Sequence, residues 1–357
     1  MRIGVDAREI TGRVTGVGRF LGGLLREWSG SSVASRHEFV LYSPRPLELA
    51  IDARRFRTRE IAGGTGTWWE QVQLPNALAN DCLDVFFSPA YTAPLRVTIP
   101  TVVAIYDLSY VAHPEWFRLR EGIRRRWLTD RTAARARAVI TLSEFSRGEI
   151  IERLGVPEHL VHRVEPGIDR LRVTRHHGTE PRVLYVGSLF NRRHVPHLVR
   201  AVAALARSRT ATTLDIVGDD RTFPHEDLEG LIARLGLAGR ARWHRFVTDD
   251  MLGSLYGGAR AFGFLSEYEG LGMTPLEALA AGVPPVVYDT PVARESCGEA
   301  ALYVPVGDEV GVVRALERAL FDETIRAAVL AAAPATLAKY DWTRAARETL
   351  AIIEQAV

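Results

Sequence analysis

Two glutamates eight positions apart, Glu269 and Glu277, bracket a glycine-bearing turn, Gly270 to Pro275, that runs into the alanine-rich stretch PLEALAA. A helix that starts there leaves its first N–H groups unpaired and partial positive charge at its end, which suits an anion. Two fixed carboxylates beside that end would repel a bare phosphate, so the fitting ligand also carries hydroxyls that donate to the acids. A second stretch, VGSLFNRRH, places Arg192 and Arg193 after an apolar run and before a helix, where forked guanidinium groups suit a diphosphate. The third glycine-bearing loop, TGVGRF at 15–20, lacks the third glycine of a dinucleotide fingerprint, because Leu21 stands in its place. The plain alternatives are an exposed turn acid, a helix-surface acid and two solvated arginines. Helical spacing buries much of the turn around Glu277, and the strand–glycine context sets the arginine pair apart.

The elements that must position these residues read as an alternation of buried strands and helices. RIGV, EFVLY, DVFFS, TVVAIYD, AVITLS and VHRVEPG form a first set of strands, with helices expected near Gly18–Trp28, Trp69–Ala79, Trp116–Arg137 and Ser146–Leu154. A polar interval at 170–181, RLRVTRHHGTEP, reads as a linker. The pattern then restarts with RVLYVGS, TLDIVGDD, RWHRFV, AFGFLS, PPVVYD and ALYVPV, with helices near His197–Ala206 and Glu226–Leu235 and a helical tail from about Val310. This is an α/β chain of two Rossmann-like halves with parallel sheets, spanning 1–170 and 171–340, closed by a terminal helix over 341–357. Ligands of such sheets sit outside the carboxyl ends of the strands, where all three glycine loops fall.

At 357 residues the chain suits two domains, and its net charge of +2 gives no global reason to expect nucleic acid. Cys82 and Cys297 form neither a metal nor a redox spacing, and no apolar run approaches a membrane span, so a cytoplasmic protein is expected. Lys339 is the only lysine. A compositional habit of that kind lessens what any single Arg in place of Lys conveys. No cluster of acids and histidines offers a metal site; His113 reads as structural, and His176 and His177 as linker residues.

The stretch EGLGMTPLEALAAGVPPVV resembles the signature of retaining glycosyltransferases of family 4, bacterial mannosyltransferases among them. GVGRF, WWEQVQLPNAL, FFSPAYTAPL, YDLSYVAHPEWF, TLSEFSRGEI, EPGID, YVGSLFNRR and YDWTRAARETL follow the order expected of that family along nearly the whole chain. The resemblance implies the GT-B fold: two Rossmann-like domains facing across a cleft, with the last helix crossing back to the first. It implies that Glu277 accepts from the ribose hydroxyls of a sugar nucleotide and that backbone N–H groups of Leu271, Gly272, Met273 and Thr274 meet the diphosphate and the sugar. Glu269 faces hydroxyls of the transferred sugar, Arg192 and Arg193 hold the departing diphosphate, and Gly16 lets a loop approach the phosphate. Gly187 and Val247 complete the substrate-binding positions. Acceptor recognition falls to loops near Thr65–Gln73, Tyr91–Leu95 and Ser109–Phe117.

The activity so implied is retaining transfer from a nucleotide-diphosphate sugar, with a mannose-type donor first. The acceptor is a glycan, a lipid-linked or a small molecule, and neither cofactor nor metal takes part. Two positions depart from the family pattern: Tyr106 stands where many members have a sugar-contacting histidine, and Arg193 replaces a usual lysine. From Glu115 to Arg137 there are eight arginines against three acids, with Trp116, Ile123 and Trp127 near one helical face. That helix reads either as a solvated face or as one that rests on the inner, anionic membrane surface. The rival functions are a sugar-nucleotide epimerase of similar architecture, a nicotinamide-dependent oxidoreductase and a non-catalytic sugar-nucleotide-binding protein.

Overall fold

In a computed structural model of the chain, residues 1–12, 16–48, 51–52, 54–169, 173 and 180–357 are described. The interval from 170 to 181, His176 and His177 included, lies largely outside them, as does Thr15. The chain forms two compact units: Met1–Pro114 with Leu119–Gly167 and Tyr340–Val357, and Glu115–Arg118 with Ile168–Lys339.

The first unit carries seven parallel strands: β1 Arg2–Asp6, β2 Glu38–Ser43, β3 Phe56–Glu60, β4 Val85–Ser88, β5 Thr101–Ala104, β6 Ala138–Thr141 and β7 Val161–Arg163. They are ordered β3-β2-β1-β4-β5-β6-β7. The central strands are buried along nearly their whole length, which is why they read as unbroken apolar runs. β3 was missed for the complementary reason. It is an edge strand of sequence FRTRE in which only Phe56 is buried. The helix expected over Trp116–Arg137 is shorter, Leu119–Ala133, because Pro114–Trp116 forms a separate 3-10 turn.

The second unit has six parallel strands: β8 Arg182–Val186, β9 Thr213–Val217, β10 Ala241–His244, β11 Ala261–Phe264, β12 Pro285–Tyr288 and β13 Leu302–Val304. Their order is β10-β9-β8-β11-β12-β13. Strand order therefore reverses between β8 and β11 here, and between β1 and β4 in the first unit. Connections leave to opposite faces at such points and open a crevice at the carboxyl ends. Two helices escaped the sequence reading, Asp249–Gly258 and Pro291–Cys297. Each has a threonine N-cap: Thr248 accepts from Met251 N–H and Thr290 from Ala293 N–H.

The terminal helix Trp342–Gln355 belongs to the first unit and packs on helix Gly16–Gly30. Its inner face buries Ala345, Ala346, Leu350, Ile352 and Ile353, and the Trp28 indole donates to the Ala346 carbonyl at 2.9 Å. Trp342 lies against two glycines: a Cβ would come within 2.5 Å of its ring at Gly23 and within 2.2 Å at Gly167. Gly167→Ala should therefore cost on the order of 1–3 kcal/mol through overpacking. Combining it with Trp342→Leu should recover part of that loss. Denaturant melts of the single and double variants test this, and a fully stable Gly167→Ala would contradict the packing.

Candidate active site

The second unit's crevice is built from the segments that follow β8 and β11. After β8 the chain turns at Gly187, with φ +145°, where a Cβ would meet the Arg193 guanidinium at 2.8 Å. A short 3-10 turn, Asn191–Arg193, then carries both arginines toward the segment after β11. Arg193 Nε donates to Glu269 Oε1 at 2.6 Å and Nη2 donates to Oε2 at 3.1 Å, a forked pair, while Nη1 donates to the Ser188 carbonyl at 2.9 Å. Ser266 Oγ donates to the same carboxylate at 2.9 Å. Burial alone would raise the Glu269 carboxyl. The charges of Arg193 and Arg192 and the bonds from Arg193 and Ser266 outweigh it and hold the group below its ordinary range.

Arg192 is buried, its guanidinium 4.4 Å from the Phe190 ring centroid, and its Nε donates to the Tyr268 carbonyl at 3.0 Å. Its two terminal nitrogens have no protein partner among the described residues. The Glu267 N–H donates to the Arg192 carbonyl at 3.0 Å, so the two segments are tied by backbone as well as by charge.

Gly272, at φ +82°, ends the second segment and starts helix Met273–Ala280. Among the described residues no side chain caps this helix start, and beyond the adjoining residues nothing lies within 4 Å of where a Gly272 Cβ would stand. Leu271 is buried, Met273 is partly exposed, and Thr274 Oγ1 is a buried hydroxyl without a partner among the described residues. Glu277 lies one turn further along, 6 % exposed, with the Tyr256 hydroxyl at 3.4 Å from Oε2. The segment after β8 thus carries Gly187, Arg192 and Arg193, the segment after β11 runs from Glu269 through Leu271, Gly272, Met273 and Thr274 to Glu277, and the Arg193–Glu269 pair and the Glu267–Arg192 backbone bond join the two. Val247 follows β10, the strand at the sheet edge, and is partly exposed.

In the first unit, Gly16 begins its helix with nothing within 4 Å of a Cβ position. Tyr106 is held inside this unit. It is 6 % exposed, its hydroxyl donates to the Pro89 carbonyl at 2.6 Å, and its ring meets Phe20 and Tyr91 edge-on. Its one donor is spent inside the unit. The sequence reading also missed a charged cluster at the β1–β4 reversal. Asp6 is fully buried, Arg8 Nη2 lies 3.1 Å from its Oδ2 and donates to Glu70 Oε1 at 2.6 Å, and Thr92 Oγ1 donates to that same oxygen at 2.5 Å. A cavity of about 250 Å³ in this unit, lined by Val97, Ile99, Arg135 and Arg137, opens at the amino ends of β5 and β6; its lining takes in Ala93, Pro94 and Leu95 of an expected acceptor loop and none of the donor-site candidates.

Burial pushes Asp6 from 3.8 up to about 6, aided by Glu70 and opposed by Arg8. An acid with a higher pKa folded than unfolded favours folding below 3.8, and that contribution is lost as pH climbs through about 6. Asp6→Asn should remove a pH-dependent difference on the order of 2–3 kcal/mol across that interval. Urea melts from pH 3.5 to 6.5, values chosen roughly to span the titration, check this. Parallel stability curves for the two proteins would contradict it.

The family model described as Glycosyl transferases group 1 matches residues 169–335, and that of Glycosyltransferase Family 4 matches residues 14–172. O-antigen chain mannosyltransferase B of Escherichia coli is 23% identical over 278 residues, covering 74% of this chain and 73% of that one. Alpha-D-kanosaminyltransferase of Streptomyces kanamyceticus is 27% identical over 276 residues, 72% of this chain and 71% of its own. Among solved structures, WaaG, a glycosyltransferase involved in lipopolysaccharide biosynthesis, superposes with a TM-score of 0.76 at 18% identity over 99% of both chains. HepE of Anabaena in complex with UDP and glucose gives 0.76 at 17% identity, over 99% of this chain and 100% of that one. The fold is GT-B. With the two family models matching successive halves, the chain belongs to the group 1, family 4 glycosyltransferases.

Proposed function

We propose that the protein is a retaining glycosyltransferase that moves a sugar from a nucleotide-diphosphate sugar to a glycan, lipid-linked or small-molecule acceptor in the cytoplasm, without a metal ion. GDP-mannose is the first donor to test, because mannosyltransferases of several bacteria are among its relatives. The observation that carries the reading is the uncapped helix start at Gly272–Thr274, with a buried hydroxyl unpartnered among the described residues, on a segment tied to Arg192 and Arg193 through Glu267 and Glu269. Anionic oxygens would complete the N–H groups, the Thr274 hydroxyl and the terminal nitrogens of Arg192 together.

In this reading Glu277 accepts from the ribose hydroxyls and Glu269 from hydroxyls of the transferred sugar. Arg193 keeps the Glu269 carboxylate ionised and oriented. The bond between the anomeric carbon and the diphosphate oxygen breaks, and negative charge gathers on the diphosphate, where the fixed positive groups stabilise it. The acceptor oxygen bonds to the anomeric carbon on the face the diphosphate leaves. The acceptor proton passes to the departing phosphate oxygen, so no covalent enzyme intermediate is needed.

Glu277→Gln keeps the shape of the side chain and removes its charge, which should weaken binding of the nucleoside diphosphate about ten- to hundredfold, the worth of one charge-assisted bond. Glu269→Gln should spare that affinity and damage transfer, since its partner is the sugar. Calorimetric titration of both variants with GDP and UDP, beside a transfer assay, separates the roles; wild-type affinity in Glu277→Gln would sink the assignment.

Transfer should also persist in excess chelator. Among the described residues no group of three His, Cys, Asp or Glu side chains is placed to hold a metal ion, and the terminal nitrogens of Arg192 are left to neutralise the diphosphate. Complete loss of activity with chelator, restored by magnesium or manganese, would refute the metal-free step.

A further inference from the structure

Helix Leu119–Ala133 turns Gly122, Leu128, Thr129, Thr132 and Ala133 into the first unit. Its outer side is not simply polar. Leu119, Ile123 and Trp127 are 75%, 51% and 53% exposed. Spaced four apart, they form one stripe along the helix, and at 100° per residue Arg120, Arg124 and Arg131 follow one flank of that stripe and Arg126 the other. The expectation had Trp116 in this stripe; Trp116 precedes the helix, and Leu119 takes the position. Arg120, Arg124 and Arg126 have no ion-pair partner among the described residues, and Arg131 lies 6.0 Å from the Trp127 ring. Glu121 pairs with Arg125 at 2.6 Å on the side away from the stripe, which leaves Asp130, in the last turn, as the acid beside it.

We propose that this face docks on the surface of an anionic lipid bilayer. Three apolar side chains in line would enter the boundary between headgroups and acyl chains, while arginine stems lie along the surface and their guanidinium groups meet lipid phosphates. A nucleic acid would engage the arginines and leave the apolar stripe in water, and a protein helix would have to supply acids along both flanks. No helix among the described residues is long and apolar enough to cross a membrane, so the contact is peripheral. The inference stands on this face alone and does not depend on the reaction.

Flotation of the full chain with phosphatidylcholine vesicles, with and without phosphatidylglycerol, tests it. The protein should float with the anionic vesicles at low salt and largely dissociate at high salt. Arg120→Gln/Arg124→Gln/Arg131→Gln should lower the partition on the order of a hundredfold, from about fivefold per arginine. Leu119→Ser/Ile123→Ser/Trp127→Ser should lower it roughly tenfold or more. All six positions are exposed, so thermal melting and nucleoside diphosphate binding should match the parent in both variants. The proposal is overturned if the parent does not float with anionic vesicles or if either variant floats undiminished. It is equally overturned if lipid-free sedimentation shows a dimer that the apolar variant abolishes, since a second copy would then be what covers the stripe.

Discussion

The forked pair between Arg193 and Glu269 is the constraint on which the second unit's crevice is organised. It joins the segment after β8 to the segment after β11, the two strands between which strand order reverses. Its neighbours are set to suit it. Gly187 has no Cβ because one would collide with the guanidinium, and a Cβ on Gly218 would stand 1.9 Å from the Gly187 carbonyl oxygen. Arg192 is held in turn by the Tyr268 carbonyl and by the backbone bond from Glu267. The pair therefore does two things at once: it keeps a carboxylate ionised where burial would neutralise it, and it holds the uncapped helix start in a fixed place relative to the arginines.

The two segments were legible in the sequence because each is local, whereas the pairing of Arg193 with Glu269 across 76 positions was not. A strand, a glycine turn, a charged pair and a helix start lie within about a dozen residues in each case, and period and turn chemistry read over that range. What was not legible depended on pairings between distant residues. Asp6, Arg8 and Glu70 meet across 62 positions or more of chain, and nothing around Glu70 marks it as a partner of Arg8. Tyr106 is a second case. Its hydroxyl donates to the Pro89 carbonyl 17 positions away, a contact that no local pattern foretells. β3 escaped because an edge strand need bury little, and helix Leu119–Ala133 was read too long because Pro114 starts a separate turn before it.

The two reversals of strand order share a topology and differ in electrostatics. At β8–β11 the protein leaves donors unspent: helix N–H groups, a hydroxyl and the ends of Arg192. At β1–β4 it closes the crevice on itself, with two buried carboxylates sharing Arg8 and one of them also accepting from Thr92. Burial and the second acid raise Asp6, so this cluster is reluctant to hold further negative charge. A polyanionic ligand is thus favoured in one unit and opposed in the other. That asymmetry distinguishes the two copies of one architecture within the chain. It is carried by a few side chains at strand ends while the sheets beneath remain alike.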